Sequence, residues 1–488
     1  MKEKDLLHAM NDIDSSYIRD AGEQKPKLAR KRWMVAGLAA ACAALLVGVW
    51  EWRYKGAKAD NEGQNGVIIA RASYPECVPY PDEEEFYADS SEGAWEEYSA
   101  MVEKWSEERR SRITASEGLR EALYPFYGVT MRELLVSDEN ANRTYSPLNL
   151  YMALSMLAEL TDGNSRAQLL ELLSAPDIVT VRECASSLWT ANYFDDGLVA
   201  SILANSLWLR EGVVFVPETM RTLAETYHAS AFQGEMGSPG FTQMFRRWLN
   251  EQTKGFLEEQ TEGIRMDART VLELASTIYY SAQWQNRFFA QNTKEDVFHK
   301  ADGDVTCDFM HQEKMGFCYY GENFSAIRCG LRMSGDMWLF LPDESVNVND
   351  VVEGGEALQL ICESGAWENK VYTNIKLALP KFDVVSEIDL VEGLKAMGVT
   401  DVFDTETADF SPMIENADDI YLSEAKHASR IAVDEKGCTA AAYTIMAINE
   451  TAAPPPQQEV AFVLDRPFLF AITGADGTIL FIGVVEEP

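Results

Sequence analysis

The sequence predicts a mixed α+β domain of about 370 residues, running from near residue 116 to the C-terminus and preceded by one membrane-spanning helix. Three observations carry this prediction. Residues 33–50 form an apolar run without a charge. Helix-like and strand-like segments are interspersed after residue 116 without a regular βαβ rhythm or an internal repeat. The chain is 47% hydrophobic and 11% aromatic, which is the composition of a packed protein and not of a disordered one.

The first 32 residues are polar and end in a basic cluster of Lys25, Lys27, Arg30, Lys31 and Arg32. The run that comes next, WMVAGLAAACAALLVGVW, has 18 residues; as a helix it reaches about 27 Å, just enough to cross a bilayer. The basic flank, with Trp33, Trp50, Trp52 and Tyr54 at the ends of the run, places the N-terminus in the cytoplasm and the rest outside. The expectation is a single-pass protein of the cell membrane, an arrangement compatible with a bacterial envelope protein. A cleaved signal peptide is the alternative, against which stand the long basic region and the Glu-Trp-Arg-Tyr directly after the run.

Residues 51–115 read as an acidic spacer outside the membrane. The spacer lacks a hydrophobic period except from Ser91 onward, where Trp95, Tyr98, Met101, Val102 and Trp105 would share one side of a charged helix. The domain itself spans 116–488. Ser146-Pro147 ahead of LNLYMALSMLAEL supplies an N-cap and a first-turn proline, and Thr161-Asp162-Gly163 supplies the stop. A second helix is expected over 165–173. Strands are expected at 202–209, 271–281, 337–341, 374–379, 460–464 and 478–484, each rich in β-branched, aromatic or Leu residues.

Charge and motif content exclude several functions. Asp and Glu number 78 against 42 Lys and Arg, a formal net charge of -36. Such a surface repels phosphate backbones, so nucleic acid is not an expected partner. Eight Cys occur without a C-x-x-C pair and five His without H-E-x-x-H, so neither a metal site nor a cofactor is expected. No G-x-S-x-G nucleophile motif is present, which disfavours a hydrolase.

The most unusual stretch is 435–456, EKGCTAAAYTIMAINETAAPPP, between the strand-like SRIAV and VAFVL. A connection of about 20 residues inside a compact domain is uncommon and marks either disorder or a functional loop. Its composition allows a third state, an added strand. Cys438, Ala440, Ala442, Thr444, Met446 and Ile448 would then share a face that is small, then apolar, and free of charge. Thr439, Ala441, Tyr443, Ile445 and Ala447 would share the other. Pro454, Pro455 and Pro456 have no backbone donors, so any insertion stops before them.

A set of motifs in fixed order then points to a family. They are Tyr145-Ser146-Pro147-Leu148-Asn149, Asn205-Ser206-Leu207-Trp208-Leu209, Ile278-Tyr279-Tyr280-Ser281-Ala282-Gln283-Trp284, Phe340-Leu341-Pro342-Asp343 and Leu379-Pro380-Lys381-Phe382. Ala408-Asp409-Phe410-Ser411, Ala425-Lys426-His427, Val433-Asp434-Glu435-Lys436-Gly437 and Asp465-Arg466-Pro467-Phe468-Leu469-Phe470 continue the set. In this order the chain resembles the serpins over about 370 residues.

The resemblance implies helices packed around three β-sheets with an exposed reactive-centre loop. It implies a monomeric protease inhibitor and not an enzyme. A serine protease attacks a bait bond in the loop, forms an acyl-enzyme, and is carried across the molecule as the loop inserts into the central sheet. The 14 residues from Cys438 to Thr451 would span roughly 46 Å as that strand. Insertion needs a hinge of small residues, here within Glu435, Lys436, Gly437, Cys438, Thr439, Ala440, Ala441 and Ala442; Cys438 departs from the usual Thr or Ser.

The region where the sheet opens maps to Ser146, Asn149, Ser276, Trp284 and His427. His427 is retained, whereas Asn149 and Ser276 depart from the residues that usually hydrogen-bond there. Counting 14 residues on from Gly437 gives the bait bond Thr451-Ala452, in a loop about five residues longer than usual on its far side. A small residue there suits elastase-like or subtilisin-like proteases. Glu450 would suit a glutamate-specific protease, and Ile448 or Met446 a chymotrypsin-like one. A non-inhibitory relative that uses the fold as a binding scaffold is the second reading.

Overall fold

Two hydrogen-bonded ladders organise the chain between Asn65 and Pro488. The computed structural model describes residues 66–81, 86, 93–414, 420–438 and 459–488. The expected membrane helix at 33–50 lies outside the described residues, and no described helix is long and apolar enough to cross a membrane.

The first ladder is a sheet built from β1 (Gly66–Ala70), β2 (Ala200–Arg210), β3 (Ala229–Gly234), β4 (Leu272–Gln283), β5 (Phe382–Asp389), β6 (Lys426–Val433) and the short β7 (Gly437–Cys438), with Phe194–Asp195 paired to the start of β2. Across the sheet the order is β1-β3-β2-β4-β7-β6-β5. Only β2 and β3 run parallel. The second ladder has nine strands, from Glu459–Val463 at one edge to Arg143–Tyr145 at the other. The resemblance implied three sheets. Two ladders form instead because one 18-residue strand, Gly303–Tyr320, runs through two of them. It pairs with Lys294–Lys300 over its first part and with Lys370–Pro380 over most of the rest.

Helices fill the space around these sheets. We name four: α1 (Ala94–Ile113), α2 (Pro147–Leu160), α3 (Ile178–Asn192) and α4 (Pro239–Gln252). In α2 every residue but Ala153 is buried, so it is an interior helix, mostly apolar, and it packs between β4 and the strand Ile479–Val485. It starts where the sequence predicted: Pro147 takes the first turn and the Ser146 hydroxyl accepts the Asn149 N–H at 3.1 Å. Helix α4 has one apolar face. Phe241, Phe245, Trp248 and Leu249 are buried on it and pack with Trp208 and Phe232, whose rings stack 4.2 Å apart.

Within the expected spacer 51–115, the described residues 66–81 and 93–115 pack against the domain. Residues 66–70 add an antiparallel edge strand to the sheet, pairing Gly66 with Gly234 and Ile68 with Phe232. Helix α1 forms near its expected place, but its expected apolar side is only partly buried: Trp105 is 4% exposed, Trp95 62% and Met101 46%. The reason is electrostatic. The helix is held by Trp105 and Arg109, which both donate to the buried carboxylate of Asp196.

Candidate functional site

The site is the seam between β4 and β6. At its upper end the chain leaves β6 at Val433, turns, and comes back between the two strands as β7. Gly437 pairs with Gln283, and Cys438 pairs with both Ala282 and Val433. The turn is an Asx turn: Asp434 Oδ1 accepts the N–H of Lys436 at 2.8 Å and of Gly437 at 3.2 Å. Trp284, 2% exposed, clamps the turn from the end of β4. Its backbone N–H donates to the Lys436 carbonyl at 3.0 Å and its indole N–H to the Asp434 carbonyl at 2.8 Å.

Next to this turn, the Glu435 carboxylate accepts from the Thr293 hydroxyl at 2.8 Å and lies 3.5 Å from the Lys381 ammonium. Burial alone would raise its pKa. Hydrogen bonds from backbone, Thr293 and Lys381 together with the Lys381 charge outweigh that and hold the carboxyl below its usual range. Gly437 is required by close approach, since a Cβ there would sit 2.1 Å from the Ala282 carbonyl oxygen. Cys438 is 0% exposed, and burial pushes its thiol pKa far up, so it is a neutral packed group and not a nucleophile.

Below Cys438 the seam is open. Among the described residues β4 and β6 share no direct ladder pair and are joined only through β7. A cavity of about 30 Å³ lies there, lined in part by Ser146, Asn149, Ser276, Ile278, His427 and Ile431. Side chains from the start of α2 hold its floor. The Ser146 N–H donates to His427 Nε2 at 3.0 Å, and the Asn149 amide donates to the Ser276 carbonyl at 3.0 Å. The Ser276 hydroxyl also donates to Asn149 Oδ1. The two residues that departed from the expected pattern therefore hydrogen-bond each other, tying α2 to β4 beside the opening.

His427 is buried, and burial lowers its pKa to about 4. The ring is neutral at physiological pH. Its Nε2 accepts from the Ser146 backbone N–H, so the ring proton sits on Nδ1.

The five residues expected at the opening thus lie at two levels. Trp284 stands at the top beside β7, and Ser146, Asn149, Ser276 and His427 stand lower, around the cavity. Of the expected hinge, Glu435, Lys436, Gly437 and Cys438 form the turn and β7. Thr439, Ala440, Ala441, Ala442, Thr451 and Ala452 lie outside the described residues. The loop's far end is fixed on the other ladder, where Glu459–Val463 pairs in parallel with Lys370–Pro380. Sequence reasoning missed the Asp434 turn and the Thr293 and Lys381 partners of Glu435. An Asp three residues before a Gly was the visible signal for the first.

A sequence profile described as Serpin (serine protease inhibitor) matches residues 126–488. The chain belongs to the serpin family. Among curated relatives this serpin is 26% identical over 370 residues to Serpin-ZX of Arabidopsis thaliana, covering 72% of this chain and 93% of that one. It is 29% identical over 371 residues to the leukocyte elastase inhibitor of Homo sapiens, covering 73% and 96%. Among solved structures the thermophilic serpin tengpin in its native state matches with a TM-score of 0.67 at 24% identity, covering 76% of this chain and 95% of that one. Thyroxine-binding globulin in complex with thyroxine matches with a TM-score of 0.65 at 21% identity, covering 76% and 99%. These structural likenesses concern the serpin fold.

Proposed function

We propose that this serpin is a suicide-substrate inhibitor of serine proteases of the elastase-like or subtilisin-like kind, with Thr451-Ala452 as its bait bond. One observation carries the proposal: Gly437 and Cys438 already sit as the first two residues of a strand between β4 and β6, and below them β4 and β6 share no ladder pair among the described residues. A strand continued from Cys438 would find backbone donors and acceptors on both sides, which is the most favourable environment a strand can enter. The protein's own steps are mechanical. It presents the loop, accepts cleavage, and threads the freed segment down the seam while the acylated protease is attached to its end. The alternation of Cys438, Ala440 and Ala442 with Thr439, Ala441 and Tyr443 keeps the large ring on the outer face.

Mixing the full chain with an elastase-like and a subtilisin-like protease is expected to give a covalent complex that survives denaturation, and a released C-terminal peptide starting at Ala452. Loop cleavage with no complex would replace this reading with the non-inhibitory one. A first residue other than Ala452 would move the bait bond and with it the class of protease.

The inhibitor is, in this proposal, held at the outer side of a cell membrane by residues 33–50, where it protects the surface from proteases in the surroundings. The full chain is expected to stay with the membrane fraction through an alkaline wash, and a chain cut to start at residue 65 to be released. Equal release of both would remove the anchor.

A further inference from the structure

Residues 66–81 and 93–116 precede the stretch that the family profile matches, yet they are fastened along the sheet that the loop enters in the proposed mechanism. Inserting a strand between β4 and β6 pushes the two apart by about 4.8 Å. Everything on the β4 side, namely β2, β3 and β1, has to move with it relative to the second ladder.

The segment grips that moving side repeatedly. β1 pairs with β3, the Ala72 N–H donates to the Ser230 hydroxyl at 3.0 Å, and the Tyr74 ring stacks on Tyr193 at 5.4 Å. The strongest grip is on Asp196, 3% exposed, just ahead of β2. Its Oδ2 accepts from Arg109 at 2.8 Å and from the Trp105 indole at 3.1 Å. Its Oδ1 accepts the N–H of Leu198 and Val199, and its carbonyl accepts the Tyr80 N–H at 2.8 Å. One residue therefore links α1, Tyr80 and the entry to β2.

The other end of the segment is tied to the body. The Ser116 hydroxyl donates to Asp476 Oδ2 at 2.6 Å, and Asp476 sits in the turn between the second-ladder strands Phe468–Thr473 and Ile479–Val485. Arg332, in the turn after the second-ladder strand Phe324–Gly330, lies over the Tyr80 ring at 5.7 Å.

We infer that residues 66–81 and 93–116 form a strap across the two parts of the molecule that must separate, and that the Arg109–Asp196 lock sets how readily the seam between β4 and β6 widens. The inference rests on the loop-insertion reading for its purpose, but its test needs no protease. Hydrogen exchange is monitored by mass spectrometry in the full chain, comparing the natural protein with Arg109→Gln, with the double change Val67→Pro and Ile68→Pro, and with Met101→Ala as an exposed control. Because N–H groups alternate along a strand, one of the two prolines must remove a bond to β3. Amides in 276–282 and 427–433 are expected to exchange at least about tenfold faster in the first two variants and at the natural rate in the control. Acceleration confined to 66–116 and 194–234, with the seam unchanged, would overturn the strap. If Arg109→Gln does not fold, the proline pair, which leaves the buried carboxylate partnered, decides alone. A chain that traps no protease but shows faster seam exchange would sink the inhibitory reading and keep the strap.

Discussion

Gly437→Ala is expected to turn the inhibitor into a substrate, with the loop still cut and the yield of covalent complex cut about a hundredfold. The added Cβ would lie 2.1 Å from the Ala282 carbonyl oxygen and 2.8 Å from the Gln283 Cα, both backbone atoms. Neither can swing aside, so β4 has to retreat by about 1 Å or β7 has to leave the seam. Either way ladder hydrogen bonds at this point are lost, each contributing roughly 1 kcal/mol, and the crowding adds to that. Trapping is a race between strand insertion and hydrolysis of the acyl-enzyme. Every 1.4 kcal/mol added to the insertion barrier shifts the outcome about tenfold towards hydrolysis. About 3 kcal/mol then gives the hundredfold loss. The check is to titrate protease with each protein and read complex against cleaved product on denaturing gels, with the exposed Lys436→Ala as the control. Natural yield from the alanine variant would show that insertion does not begin at this residue.

The second large effect is on stability in acid. His427 takes up its proton at about 4 in the fold, and the ordinary value for the unfolded chain is 6.5. Unfolding between those values therefore binds a proton, and stability rises with pH across the window. The contribution is complete above pH 6.5 and is lost as pH falls through about 4. For a fully buried group it amounts to about 3 kcal/mol. Protonation would also leave the Ser146 N–H facing a donor instead of the acceptor it has at 3.0 Å.

His427→Gln cannot titrate, so the natural protein's urea midpoint minus the variant's should rise with pH between about pH 4 and 6.5. Glu273, which burial pushes up to about 7, has the opposite slope in the same range, because the folded state holds its proton longer. The difference between the two proteins isolates the histidine. Parallel pH curves would mean that His427 keeps its ordinary titration in the fold.

Much of this architecture could be read in the sequence, and the failures have a common cause. The helix at Pro147–Leu160 and the strands around Trp208, Tyr280, Phe340 and Phe481 announce themselves through local signals, a cap or a dense apolar run. The Gly303–Tyr320 strand does not, because only four of its 18 residues are buried and it reads as polar: GDVTCDFMHQEKMGFCYY. Its partners lie on both sides, and only pairing makes it a strand. Arg109 failed the same way. Within SEERRSR it looks like a solvated charge, and its partner Asp196 is 87 residues on.

At the candidate site, Gly437 was legible because it reflects a local demand for space. The Asn149–Ser276 pair was not, since it joins side chains 127 residues apart whose identities mean little singly.

The seating of β7 also bears on how accurately the loop can enter the sheet. Forming a strand between two others from nothing requires choosing among registers that differ by one residue, and a slip of one reverses which side chains face inward. In this molecule that choice is made in advance. Gly437 opposite Gln283 and Cys438 opposite Ala282 act as a primer, so an incoming segment is extended from a correctly aligned end instead of being nucleated. On the loop-insertion proposal, the slow and error-prone step of nucleation would be avoided. A slip of one residue would turn Tyr443 inward, and the pairing of these two residues opposes it.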